Sequence, residues 1–246
     1  MRKIFVAYLV YLLNGKTIFS LLFLFLCLAM TRIFLVSDLS IENNVNLMDY
    51  LVYSLAGIKS PDHLIRMVGW LANLLPILIC INSLMSVFSK YDQLVLLRIH
   101  RWSHMLICKA SAITFFILLY TFSLFILHML VGSLFFEVHL NREFILNITG
   151  SYLILVSGLM TLCAIAILGT YLFQKNQIFY LLYTVLLVIL CIFRTYEWIP
   201  RWLSPIHYSS FAQLNTSELV LFYHCFNLLI ILLCSMVTLL ISYKQG

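Results

Sequence analysis

The stretch SKYDQLVLLRIHRWSHMLICK, Ser89 to Lys109, is the most basic part of the chain after its amino terminus. Its apolar residues Leu94, Leu97, Trp102 and Met105 recur at roughly helical spacing, while Gln93, Arg98 and Arg101 share a polar side. Two chemistries fit that pattern: an amphipathic helix that docks a partner, or a basic juxtamembrane loop drawn to anionic lipid. Inside the same stretch His100 and His104 stand at i and i+4, the geometry of a metal pair. A metalloenzyme needs further ligands, and His63, His128, His139, His207 and His224 are isolated along the chain. Gly15-Lys16-Thr17 imitates the end of a phosphate-binding loop, but Val10 stands where the loop needs its first glycine. No ATP site can be built from this chain. No paired acids lie in the apolar runs and no serine there has an evident base, so an intramembrane protease is unsupported.

Polar residues inside apolar runs form the second group. Asn73, Pro76, Asn82 and Ser83 share one run, in which Pro76 removes a backbone hydrogen bond and kinks the helix while the asparagines require partners. They serve either as glue between helices or as the lining of a path. His128 lies deep in another run, as a bond to a neighbouring helix, a proton relay or a substrate contact. Arg32 sits near a run's end, where it can snorkel to the headgroups or meet a substrate. All nine acids fall in loops or at span ends, which speaks against an ion-coupled secondary transporter.

The elements that must position these groups are set by composition. The chain is 63% hydrophobic and 10% charged, with a mean hydropathy of +1.05. Soluble domains carry about 25% charge. Lipid is therefore the expected solvent; a bilayer crossing takes roughly 20 apolar residues, and six runs are candidate spans, the fifth the shortest: about 17–36, 67–88, 105–133, 148–173, 178–193 and 219–242. Ile4 to Leu13, flanked by Arg2, Lys3 and Lys16, is too short to cross and lacks a small-x-small cleavage site, so it reads as an interfacial helix on the cytoplasmic face.

With the amino terminus inside, the cytoplasmic segments hold Arg2, Lys3, Lys16, Lys90, Arg98, Arg101, Lys109, Lys175 and Lys244 against Asp92 alone, and the far side holds Lys59, Arg66, Arg142, Arg194 and Arg201 against eight acids. The bias of Lys and Arg puts both termini in the cytoplasm of an inner, or plasma, membrane, and makes the net charge of +6 a topological signal rather than a nucleic-acid footprint. The apolar MDYLVYSLAG in the first outer loop, and Trp198, Pro200, Trp202 and Pro205 in the last, suggest short helices or re-entrant turns, as lids or as interfacial anchors. Ser151, Ser157, Gly158, Ala164, Ala166 and Gly169 give the fourth run a close-approach face for a subunit or bundle interface. The seven cysteines all fall in apolar runs, as small packers. The expected fold is all-α, one transmembrane domain over 1–246.

An amino-terminal interfacial helix over 1–16, six spans and a cytosolic helix between spans two and three resemble the permeases of the ABC type-2 family. In that family the cytosolic segment opens with an acid, runs through leucines to an arginine and ends at a lysine entering span three. Asp92, Leu94, Leu97, Arg101 and Lys109 occupy those places here. The resemblance implies a bacterial permease subunit that binds no cofactor itself. ATP and Mg would be held by a separate cytosolic ABC ATPase, and a second permease, identical or related, would complete the path. It implies that Asp92, Gln93, Leu94, Leu97, Arg98, Arg101, Trp102 and Lys109 couple to the ATPase, with Asn73, Pro76, Asn82 and His128 as path candidates. A lining of Leu, Phe, Tyr and Met suits export of an amphipathic or apolar cargo, such as an antimicrobial peptide, drug or lipid. The alternative is a membrane immunity or sensor protein that transports nothing.

Overall fold

Long apolar runs without internal glycine clusters leave the backbone no option but helix, since only helix satisfies its own polar groups in an apolar medium. The computed structural model describes residues 2–40, 47, 50, 51, 54, 72, 73, 75–82, 102–137, 142–173, 182, 183, 185, 186, 189 and 217–245. These form an all-helical fold with five helices: α1 (Arg2–Leu12), α2 (Gly15–Ser40), α3 (Trp102–Ser133), α4 (Arg142–Phe173) and α5 (Ser217–Gln245). Residues 75–82 are helical as well.

Three stretches, Ile107–Ser133 in α3, Phe144–Gly169 in α4 and His224–Ile241 in α5, are long and apolar enough to cross a membrane. A fourth is added if α1 and the start of α2, bent by 45° at a short break, act as one. The break has a local cause. The Asn14 side chain accepts from the Lys16 N–H at 3.3 Å and its carbonyl accepts from Ile18 N–H at 2.9 Å, so Asn14 caps α2 just where α1 ends. On α1, Ile4, Tyr8 and Leu12 are buried while Val6 and Val10 are exposed. The short amino-terminal helix is thus packed against α3 along one stripe.

Helix α3 is the hub, touching α1, α2, α4 and α5. Phe25 of α2 meets the Tyr120 ring edge-on at 4.9 Å. Tyr50 donates to the Ala29 carbonyl at 3.3 Å and stacks 6.3 Å from His128. Rising numbers on α2 (25, 29) therefore match rising numbers on α3 (120, 128), and the two run parallel. Helix α4 is antiparallel to α3: Tyr152 meets Phe122 and Phe125, its hydroxyl donates to the Leu118 carbonyl at 3.4 Å, and Met160 to Ile167 lie along the earlier part of α3, from Ile107 to Leu118. Helices α4 and α5 are parallel, since Ser157 meets Asn227 and Met160 to Ile167 lie along Ile231 to Leu239.

The hydroxyls show how the apolar solvent is handled. Thr121, Thr149, Thr161, Ser235 and Thr238 each donate to the carbonyl four residues earlier, at 2.7–2.9 Å. Such back-bonding keeps a hydroxyl satisfied where water is absent. Outward faces are apolar, with Phe19, Phe23 and Leu26 on α2 and Leu228, Leu232 and Leu240 on α5 all exposed. An apolar surface that continuous fits lipid, not water.

Candidate functional site

The turn-by-turn sequence of α3 puts Ile107, Ser111, Thr114, Phe115 and Leu118 on one helical face. Helices α3 and α5 touch each other sparingly while each packs on α4, which leaves a crevice between them. The result is a cavity of about 670 Å³. Met160, Cys163, Ala164 and Ile167 of α4 form its floor, and Ile231, Cys234, Thr238 and Leu239 of α5 its far wall. Phe5 of α1 closes the end nearest the start of α3. The volume lies in the roughly 300–1,000 Å³ range of small-molecule sites, and the lining is apolar with few polar groups, as such sites are.

Lys109 is the charged group among the described lining residues. It is buried, 4% exposed, and its Nζ lies 5.8 Å from the centre of the Tyr8 ring. The ring's negative face favours the ammonium there. Below the cavity, Asn227 Nδ2 donates to Ser157 Oγ at 3.0 Å, and that hydroxyl donates onward to the Ile154 carbonyl at 3.1 Å. This buried relay pins α5 to α4 and gives the cavity's two walls a fixed register.

The polar residues singled out in the sequence occupy a different place. None of Asn73, Pro76, Asn82 and His128 lines this cavity. Asn73 is buried, and its backbone carbonyl accepts from the Tyr120 hydroxyl at 2.5 Å. The acceptor that Pro76 leaves without its helical donor is the carbonyl of residue 72, so the Tyr120 bond falls one residue along, beside the loosened rung. The Asn73 and Asn82 Oδ1 atoms are buried without a hydrogen-bond partner among the described residues. His128 is fully buried, with Nδ1 2.9 Å from the Leu124 carbonyl. A carbonyl only accepts, so Nδ1 is the donor and carries a hydrogen.

Of the coupling residues, Asp92, Gln93, Leu94, Leu97, Arg98 and Arg101 lie outside the described residues, Trp102 is the first residue of α3, and Lys109 is buried beside Tyr8. Arg32 falls in α2, its side chain outside the description. His104 is half-buried while its pair-mate His100 lies outside the described residues, among which no three His, Cys, Asp or Glu side chains gather. Cys108, Cys163 and Cys234 are buried, and Cys27 and Cys225 exposed. Ser157 faces α5, so this part of the small-residue face of α4 is used inside the bundle. Sequence reasoning missed Asn227 and the cavity. An asparagine inside an apolar run was the available signal for the first; the second depends on three helices meeting and has none.

Comparison with family models, with curated proteins and with solved structures yields no match to this chain.

Proposed function

We propose that the chain is the permease subunit of an ATP-driven exporter, with six crossings and both termini in the cytoplasm of a bacterial inner membrane. The crossing number is supported by helix direction. Helices α2 and α3 run parallel, as do α4 and α5, which is the arrangement six alternating spans would give if the apolar runs at 67–88 and 178–193 each cross once.

The observation that carries the coupling reading is the position of α3. Segment 92–101 leads straight into the helix that contacts every other described helix and that walls the 670 Å³ cavity. A push on Asp92 to Trp102 by a separate ATPase would move that wall first. Nucleotide must favour one arrangement of the helices over the other for the push to do work. The cavity's apolar lining suits an amphipathic or apolar cargo. A second permease copy, identical or related, completes the path in this reading.

Two experiments test it. Purification in mild detergent should recover an ATPase subunit that is lost when Asp92, Leu97 and Arg101 are replaced together; recovery without any ATPase would favour an immunity or sensor protein. A Gln93→Cys variant should react with a membrane-impermeant thiol reagent in inverted vesicles and not in intact cells. Labelling of intact cells would end the proposal.

A further inference from the structure

The cavity has a shape and a sign that select its occupant. Along α3 it runs from Ile107 to Leu118, roughly 16 Å at the helical rise. Its rim is exposed and apolar at Ile107, Phe115, Leu118 and Leu239, so it opens sideways, toward the medium that covers the apolar faces of the bundle. One end is closed by Phe5 and carries Lys109, with the hydroxyls of Ser111 and Thr114 along the same stretch. Beyond that end the lining is hydrocarbon and sulfur, together with the hydroxyls of Ser235 and Thr238, and both of these donate to their own helix.

We propose that this crevice binds one anionic phospholipid from the surrounding bilayer, an acyl chain lying between α3 and α5 on the α4 floor and the phosphate at Lys109. The positive charge sets the sign of the headgroup, and basic pockets between transmembrane helices are the usual seat of acidic headgroups. The elongated, laterally open form fits an acyl chain that enters without leaving the membrane. Phosphate oxygens would accept from the Lys109 ammonium, whose Nζ lies 5.8 Å from the centre of the Tyr8 ring. The inference rests on the membrane reading and does not require an ATPase partner.

The test is native mass spectrometry of the purified full chain after equilibration with equal amounts of phosphatidylglycerol and phosphatidylcholine of identical acyl chains. The wild type should retain phosphatidylglycerol about tenfold better, the effect of one charge-assisted pair. Lys109→Gln should bring the two lipids to parity, Lys109→Arg should keep the preference, and Lys16→Gln, at an exposed lysine, should leave it unchanged. Ala164→Phe, which fills the floor, should lower retention of both lipids. Parity in the wild type, an intact preference in Lys109→Gln, or unchanged retention in Ala164→Phe would each overturn the proposal. Should Lys109→Gln fail to fold, the wild-type ratio and Ala164→Phe still decide. Failure here leaves the ATPase pull-down untouched, and the reverse holds too.

Discussion

Replacing Gly132 by alanine should loosen the end of the bundle where Tyr50 is held. A Cβ at Gly132 would sit 2.7 Å from Leu47 Cδ1 and 2.7 Å from two Tyr50 ring carbons, against about 3.5–4.0 Å for relaxed carbon contacts. Roughly 1 Å of movement is needed. Tyr50 cannot give it freely: it is fully buried, stacked 5.1 Å from Phe136, and bonded through its hydroxyl to the Ala29 carbonyl. Overpacking of this kind costs about 1–3 kcal/mol, and a stretched hydroxyl bond about another 1. Alanine's better helix propensity returns about 1. The net expectation is a loss of about 1–3 kcal/mol, read as a lower midpoint when the purified protein is titrated with a denaturing detergent and followed by circular dichroism. In a Tyr50→Ala background the penalty of Gly132→Ala should shrink, since the ring is gone and Leu47 Cδ1, the end of a flexible side chain, can move into the space it leaves. Equal midpoints for wild type and Gly132→Ala, or an undiminished penalty in that background, would refute the packing argument.

Two further predictions concern polar bonds between helices. Ser157→Ala and Asn227→Leu should each destabilise the fold, and a double-mutant cycle should give a coupling of about 0.6–1.7 kcal/mol for a bond of this kind in an apolar bundle; no coupling would mean that the two side chains act separately. Tyr120→Phe removes the donor to the Asn73 carbonyl and should cost about 0.5–1.5 kcal/mol in the same titration. If that bond compensates the proline, the cost of Tyr120→Phe should fall in a Pro76→Ala background, and an unchanged cost would show that the two are unrelated.

Three long apolar helices were legible from hydropathy alone because a bilayer crossing demands a long apolar run whatever its neighbours are, while the runs at 67–88 and 178–193 lie mostly outside the described residues. The run at 105–133 became Trp102–Ser133, 148–173 became Arg142–Phe173 and 219–242 became Ser217–Gln245. Each helix begins a little before its apolar run and takes in polar or charged residues there, Ser103 and His104 on α3, Arg142 and Glu143 on α4, and Ser217 and Glu218 on α5. The amino-terminal helix expected over 1–16 ends at Leu12, because Asn14 caps the next helix. What hydropathy could not say is which side of a helix faces which neighbour, since an all-round apolar helix carries almost no periodic signal.

That gap explains the candidate site. Lys109 reads in sequence as one more cytosolic base at a span's entrance; only the packing of α1 on α3 buries it over Tyr8 and brings it to the end of a cavity. Ser157 reads in sequence only as a small residue, and it becomes the partner of Asn227 because α4 and α5 pack in register. The residue types by themselves determined that the chain is helical and suited to lipid, and they determined that it carries no phosphate-binding loop, because these depend on composition and local spacing. The crevice between α3 and α5, its volume and its single charged liner among the described residues were decided by tertiary structure. Empty space belongs to no residue, and it exists only where three helices fail to close on one another.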